Sequence, residues 1–140
     1  MSNTPWTSSN LDASSTAADL GEQRVITAIA GEALTGGQVV ELTANNTVKA
    51  STLTTTCSSK VLGVCLTSQA NAGKAISVIR FGLVRITAYG TLNPGDNVGA
   101  APGGWAQNAI ANGSAGTGTI IGKVWVGSSS GGTAIVLLHL

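Results

Sequence analysis

Six acids, one histidine and two cysteines are the residues of this 140-residue chain that could do chemistry. Nucleophilic or metal-assisted catalysis needs several such groups together: a base beside its nucleophile, or three to four ligands around an ion. His139 is the sole histidine, so no His-based metal cluster or catalytic pair can form within one chain, and it reads as a strand-end residue. The acids are Asp12, Asp19, Glu22, Glu32, Glu41 and Asp96, and no two share the spacing of a motif. A glycosidase can bring two distant carboxylates together in space, and Glu32, Glu41 and Asp96 are the acids available in the folded part. Glu32 and Asp96 fall in turns, however, where Asp96 is accounted for by turn hydrogen bonding. Gly113–Thr119 followed by Gly122-Lys123 superficially suggests a phosphate loop. That motif requires Gly at 117 and Ser or Thr at 124, and the chain has Thr117 and Val124. The expectation is a protein that is not an enzyme, with no catalytic residue, cofactor or metal.

The remaining chemistry is that of surfaces. Only 9% of residues are Asp, Glu, Lys or Arg, with a net charge of +1, against about 25% charged residues in ordinary soluble domains. Polarity comes from Ser, Thr, Asn, Gln and Gly instead. A charge-poor monomer has low colloidal stability, whereas neutral surfaces dock with little desolvation cost, so the composition favours life in an assembly. Nucleic acid as a partner is excluded by the scatter of Arg24, Lys49, Lys60, Lys74, Arg80, Arg85 and Lys123, which form no basic footprint. No apolar run approaches the ~18–20 residues that cross a bilayer, so no membrane partner is expected. MSNTPWTSSN lacks the basic and apolar regions of a secretory signal, which predicts synthesis in a reducing cytoplasm and free thiols at Cys57 and Cys65. Cys65 lies in an apolar strand as a small buried hydrophobe, and Cys57 lies in the polar stretch 51–59.

Residues 1–22 read as a separate extended arm. They are rich in Ser, Thr, Asn and Ala, with Trp6, Leu11 and Leu20 as the large apolar residues. Such a segment cannot bury enough surface to order itself, so a partner surface is the simplest support for it. Extended, it reaches about 70 Å at ~3.3 Å per residue. Trp6 and Leu11 are its candidate anchors, with Leu20 beside them, either on a neighbouring molecule or folded back on the chain itself.

From residue 23 onward the chain reads as one β domain of short strands punctuated by Gly and Pro. The expected strands are 25–29, 38–42, 47–51, 60–66, 74–81, 83–89, 97–100, 105–108, 119–126 and 133–138. Ala44-Asn45-Asn46 and Pro94-Gly95-Asp96 are turn signals. Strands 119–126 and 135–138 carry apolar residues on both parities, which predicts cover on both faces. An internal repeat organises the whole. Val61–Phe81 aligns without a gap on Ile120–Leu140, at an offset of 59 residues (61 to 120). Gly63 falls on Gly122, Gly73 on Gly132 and Ala75-Ile76 on Ala134-Ile135. The preceding turns also recur, Gly31–Gln38 beside Gly90–Asp96. The fold class is therefore all-β: a small β-barrel or jelly-roll-like sandwich built from two similar halves, about 24–82 and 83–140.

These residues resemble a family. A polar arm precedes the turn Gly31–Gln38, the strand Val61-Leu62-Gly63-Val64 and the segment Ala72-Gly73-Lys74-Ala75-Ile76-Ser77-Val78. A looser second set follows at Gly90–Asp96, Ile120-Ile121-Gly122-Lys123 and Gly131–Val136. Over about residues 24–140 the chain is similar to the capsid-decoration, or cement, proteins of tailed bacteriophages. It departs from their pattern at Lys123, where Val is expected. The resemblance implies a virion protein, made in the host cytoplasm, that binds the major capsid protein on the outer surface of the head. It implies a homotrimer, with a dimer as the alternative, that bridges capsomers. The other reading is a carbohydrate- or receptor-binding module of a head fibre or tail, for which Tyr89 and Trp105 are candidate interface residues.

Overall fold

A computed structural model describes residues 24–52, 60–109 and 120–140. The arm with Trp6, Leu11 and Leu20, together with Cys57 and the Gly113–Thr119 loop, lies outside the described residues. Among the described residues ten strands form: β1 Val25–Ala30, β2 Val39–Ala44, β3 Thr47–Ala50, β4 Val61–Cys65, β5 Ala75–Ile79, β6 Phe81–Thr87, β7 Asn97–Ala100, β8 Ala106–Asn108, β9 Gly122–Val126 and β10 Thr133–His139. Side-chain alternation sets their faces. In β10, Ala134, Val136 and Leu138 are buried while Thr133, Leu137 and His139 are exposed, which is the period of two that a pleated strand imposes.

The first five strands close into a barrel in the order β1-β3-β2-β4-β5, with β5 returning antiparallel to β1 and β3 lying parallel to it. The second five form a sheet ordered β6-β10-β9-β7-β8. Its outer strands also meet: Ala88 bridges Ala106 in parallel, and the Tyr89 N–H donates to the Ala106 carbonyl at 2.7 Å. Strand for strand, the neighbours of β1–β5 are those of β6–β10. The molecule is thus all-β and built from two similar halves, each a five-stranded unit with the same connectivity.

Matching hydrogen bonds run through both halves. Leu34 exchanges two backbone bonds with Gln69, and Leu92 does the same with Ser128. The Thr35 N–H donates to the Gln38 side chain at 2.7 Å, and the Asn93 N–H to the Asp96 carboxylate at 2.9 Å. Gly37 and Gly95, at φ 92° and 88°, occupy the left-handed position that each turn requires.

Three expectations need correction. The gapless alignment holds from Val61 to Gln69, which falls on Ser128, but not beyond. Gly73 matches Gly131 rather than Gly132: their φ values are 86° and 83°, and each donates its N–H across the unit, to Ala30 and Ala88 respectively. Between Ser128 and Gly131 the second unit has one residue fewer than the first has between Gln69 and Gly73, so Ile76 falls on Ala134. A one-residue slip would otherwise reverse every inward and outward side chain. Secondly, the segment 74–81 is two strands. Ile79 ends β5 and Phe81 begins β6, with the Arg80 N–H bonded to the Arg24 carbonyl between them. Thirdly, β9 and β10 are bare on one face: Trp125, Val126 and Leu137 are exposed.

Two apolar clusters hold the units. One fills the first barrel with Val40, Val48, Cys65, Ile76 and Val78. The other joins Ile86, Leu92, Val98, Ile121, Val136 and Leu138 of the second unit to Val39, Val64 and Ile79 of the first. The outer face of unit one is therefore sealed by unit two. At ~25 cal/mol per Å² buried, burying a Val or Ile side chain contributes about 1.5–3 kcal/mol, which makes this joint a permanent part of the fold.

Candidate interaction surfaces

The joint between the units presents the residues that stand out chemically. A short 3-10 turn, Pro102–Gly104, lies on β2 and β3. The Gln38 amide donates to the Gly103 carbonyl at 2.9 Å, and the buried Ser51 hydroxyl donates to the Ala101 carbonyl. Gly104 has φ 77°, and a Cβ there would sit 2.7 Å from Gln38 Cβ, so only glycine lets the turn seat this closely. The turn delivers Trp105, half-buried, against Tyr89 at the end of β6. Their rings meet edge-on, with centroids 6.2 Å apart and planes at 68°, a geometry that aromatic quadrupoles favour. Tyr89, Pro102, Gly103 and Trp105 line a shallow, almost wholly apolar depression, with Tyr89 42% exposed. On the other side of Trp105 runs a more polar cleft of about 420 Å³, lined by Thr35, Gln38, Arg85, Thr87 and Thr133 among others.

The sequence offers Tyr89 and Trp105 as two candidate interface residues 16 positions apart (89 to 105). The structure makes them one patch. The described residues that line it are Tyr89, Pro102, Gly103 and Trp105. The Asp96 carboxylate is engaged in its own turn, and His139 is exposed at the end of β10. Among the described residues, no group of three or more His, Cys, Asp or Glu could hold a metal ion. Cys65 is free and buried, and desolvation pushes its thiol from 9.0 up to about 11, so it is a protonated core residue.

Trp125 was missed as a surface residue. It is 63% exposed, on the outer face of β9 beside Leu137 at 40%. Its neighbours in sequence are apolar on both sides, which hides a bare face from pattern reading. The signal available was Lys123, the polar intruder on the same face, which bonds the Asn97 side chain at 3.1 Å.

No protein-family model matches the chain, and no curated protein matches it. Among solved structures it is similar to the N base of the head fibre protein gp8.5 of bacteriophage phi29, with a TM-score of 0.58 and 12% identity. The match covers 82% of this chain and 92% of the other. At that identity the likeness is one of fold.

Proposed function

We propose that this chain is a structural protein of a phage virion, seated on the outside of the capsid, that stabilises the shell by bridging capsomers. The observation that carries the reading is the fold. Two five-stranded units in tandem cover nearly all of the base of a phage head fibre. The surface chemistry supports the same role. Few charges, an apolar Tyr89–Trp105 patch and a sealed joint suit a rigid clip that binds the major capsid protein by shape and apolar contact. In this reading the clip is a homotrimer, and the arm 1–22, anchored by Trp6 and Leu11, lies along the shell or a neighbouring subunit.

The test is co-sedimentation of the purified protein with expanded, undecorated capsids, followed by heating of the decorated shells. Saturable binding at a fixed ratio to the shell subunit, and shells that survive higher temperature, are expected. Removing residues 1–22 should weaken binding and leave the melting temperature of the β domain unchanged. Absence of binding to capsids overturns the proposal.

A second reading is the base of a head fibre that carries a receptor- or carbohydrate-binding part, favoured by the 92% coverage of such a base. Direct glycan binding by the Tyr89–Trp105 patch fits it less well. The depression is lined by Tyr89, Pro102, Gly103 and Trp105, which offer a sugar few side-chain hydrogen-bonding groups. Glycan-array binding that is lost on Trp105→Ala would support this second reading against the first.

A further inference from the structure

The two units present the same outer face in opposite circumstances. In the first unit the face is formed by Val39, Val64 and Ile79, at most 3% exposed beneath the second unit. Their structural matches are fixed by the ladders. Val39 accepts from Ser51 as Asn97 accepts from Ala109, and Ile79 pairs with Val25 as Leu137 pairs with Leu83. Cys65 donates to Gln38 as Val124 donates to Asp96, which sets Val64 on Lys123 and Leu66 on Trp125. So the sealed face Val39, Val64, Ile79 recurs in the second unit as Asn97, Lys123, Leu137, flanked by Trp125, and there it stands open.

We propose that this open face of the second unit receives the first unit of another copy of the chain, repeating between chains the joint that the fold makes within one. The entering surface is also fixed by the match. Val25 corresponds to Leu83, which lines the crevice at the internal joint together with Val64 and Leu66. The Ala44–Thr47 hairpin corresponds to the turn at Pro102–Gly104, which seats on β2 and β3. Val25 is itself exposed. Val25 and the Ala44–Thr47 hairpin are thus the first unit's counterparts of two second-unit elements that lie at the internal joint.

The chemical difference between the faces follows. A joint within one chain never separates and can be wholly apolar. A face that must stay soluble until a partner arrives carries a polar pair, here Lys123 and Asn97, around apolar anchors Trp125 and Leu137. This accounts for Lys at 123 where the repeat calls for Val. The contact is heterologous, head to tail, so it closes into a ring if the rotation per chain closes.

The experiment uses the full chain in a Cys57→Ser background, in which buried Cys65 stays unreactive. One protein carries Trp125→Cys and a second carries Val25→Cys, and each alone and their mixture are treated with a short bismaleimide. The mixture is expected to cross-link between the two proteins, while neither protein cross-links to itself. Trp125→Ala, checked for an unchanged melt, should weaken self-association on the order of 30-fold, as truncating a hot-spot tryptophan does. Self-cross-linking of the Trp125→Cys protein alone would mean a two-fold contact and overturn the inference. So would a monomeric wild-type chain, or an unchanged native mass for Trp125→Ala and Leu137→Asp. Cross-linking of the Trp125→Cys protein to a third protein carrying Trp6→Cys, and not to the Val25→Cys protein, would assign the face to the arm and overturn the inference. Capsid binding is scored separately: a monomer that still saturates capsids refutes this association and leaves the capsid reading standing.

Discussion

Gly63→Ala and Gly122→Ala should each destabilise the protein severely and to a similar degree. A Cβ at Gly63 would lie 2.2 Å from the Ile79 carbonyl oxygen, and one at Gly122 would lie 2.2 Å from the Leu137 carbonyl oxygen. Ordinary contacts begin near 3.4 Å, so each methyl overlaps a backbone atom by more than an ångström. Backbone cannot rotate aside as a side-chain end can, so the strands must part. A shift of about 1 Å would take the Leu66 N–H to Ser77 carbonyl bond, now 2.9 Å, and the His139 N–H to Ile121 carbonyl bond, now 3.0 Å, past the hydrogen-bonding limit. Overpacking costs about 1–3 kcal/mol and each lost bond about 1 kcal/mol. The sum is roughly 2–4 kcal/mol for each variant, a large part of the ~5–15 kcal/mol that holds a domain. At about 4 °C per kcal/mol for this size, Tm should fall by roughly 8–16 °C. Gly73→Ala is the control. It has φ 86° but no atom within 4 Å of its Cβ, so only the left-handed conformation is penalised, at about 1–2 kcal/mol. Thermal unfolding followed by circular dichroism decides it. If Gly63→Ala and Gly122→Ala melt no lower than Gly73→Ala, the close approach is not what requires glycine there.

Ser51→Ala should lower stability by about 1–3 kcal/mol, because the buried hydroxyl bonded to the Ala101 carbonyl is what satisfies that acceptor; urea unfolding measures it, with the exposed Thr52→Ala as the near-silent comparison. Cys65 sets a pH dependence: its folded thiol titrates near 11 rather than 9.0. Its contribution is fully present below pH 9 and lost as pH rises through about 11, because the unfolded chain releases that proton first. Unfolding free energy measured from pH 8 to 11 should therefore fall more steeply in the wild type than in Cys65→Val. The same burial predicts that native protein exposes at most one of its two thiols to a thiol reagent, and both in denaturant.

The strands were legible in the sequence, apart from the break between β5 and β6, because Gly and Pro mark nearly every other turn, and the signal at Pro94-Gly95-Asp96 specifies its own hydrogen bond through the Asp96 carboxylate. The repeat was legible through Gly63 and Gly122, which the clash with a facing carbonyl demands in both halves. What failed was register after residue 69, since apolar residues such as Ile76 and Ile135 look interchangeable until hydrogen bonds at Gly73 and Gly131 fix their faces. Of the candidate site, Tyr89 and Trp105 were each visible, but their contact was not. It depends on the Pro102–Gly104 turn and on Tyr89 bonding Ala106, pairings that no local pattern encodes. The bare face of β9 was misread because apolar residues on both parities are the usual mark of a strand covered on both sides.

An isolated sheet face bearing Trp125 at 63% and Val126 at 47% exposure is the kind of edge-of-assembly surface that monomers avoid. The matched positions in the first unit resolve the ambiguity of the pattern. Where cover is supplied by the same chain, Val64 and Val39 are fully apolar and nearly inaccessible. On the second unit, where no described residue supplies that cover, Leu137, Lys123 and Asn97 stand at the matched positions, with Lys123 bonded to Asn97. The two units, alike in strand connectivity, differ at the positions where their surroundings differ. The difference between them isolates exposure from fold: Gly63 and Gly122 stay the same because the ladder requires it, and residues 64 and 123 differ because the solvent does.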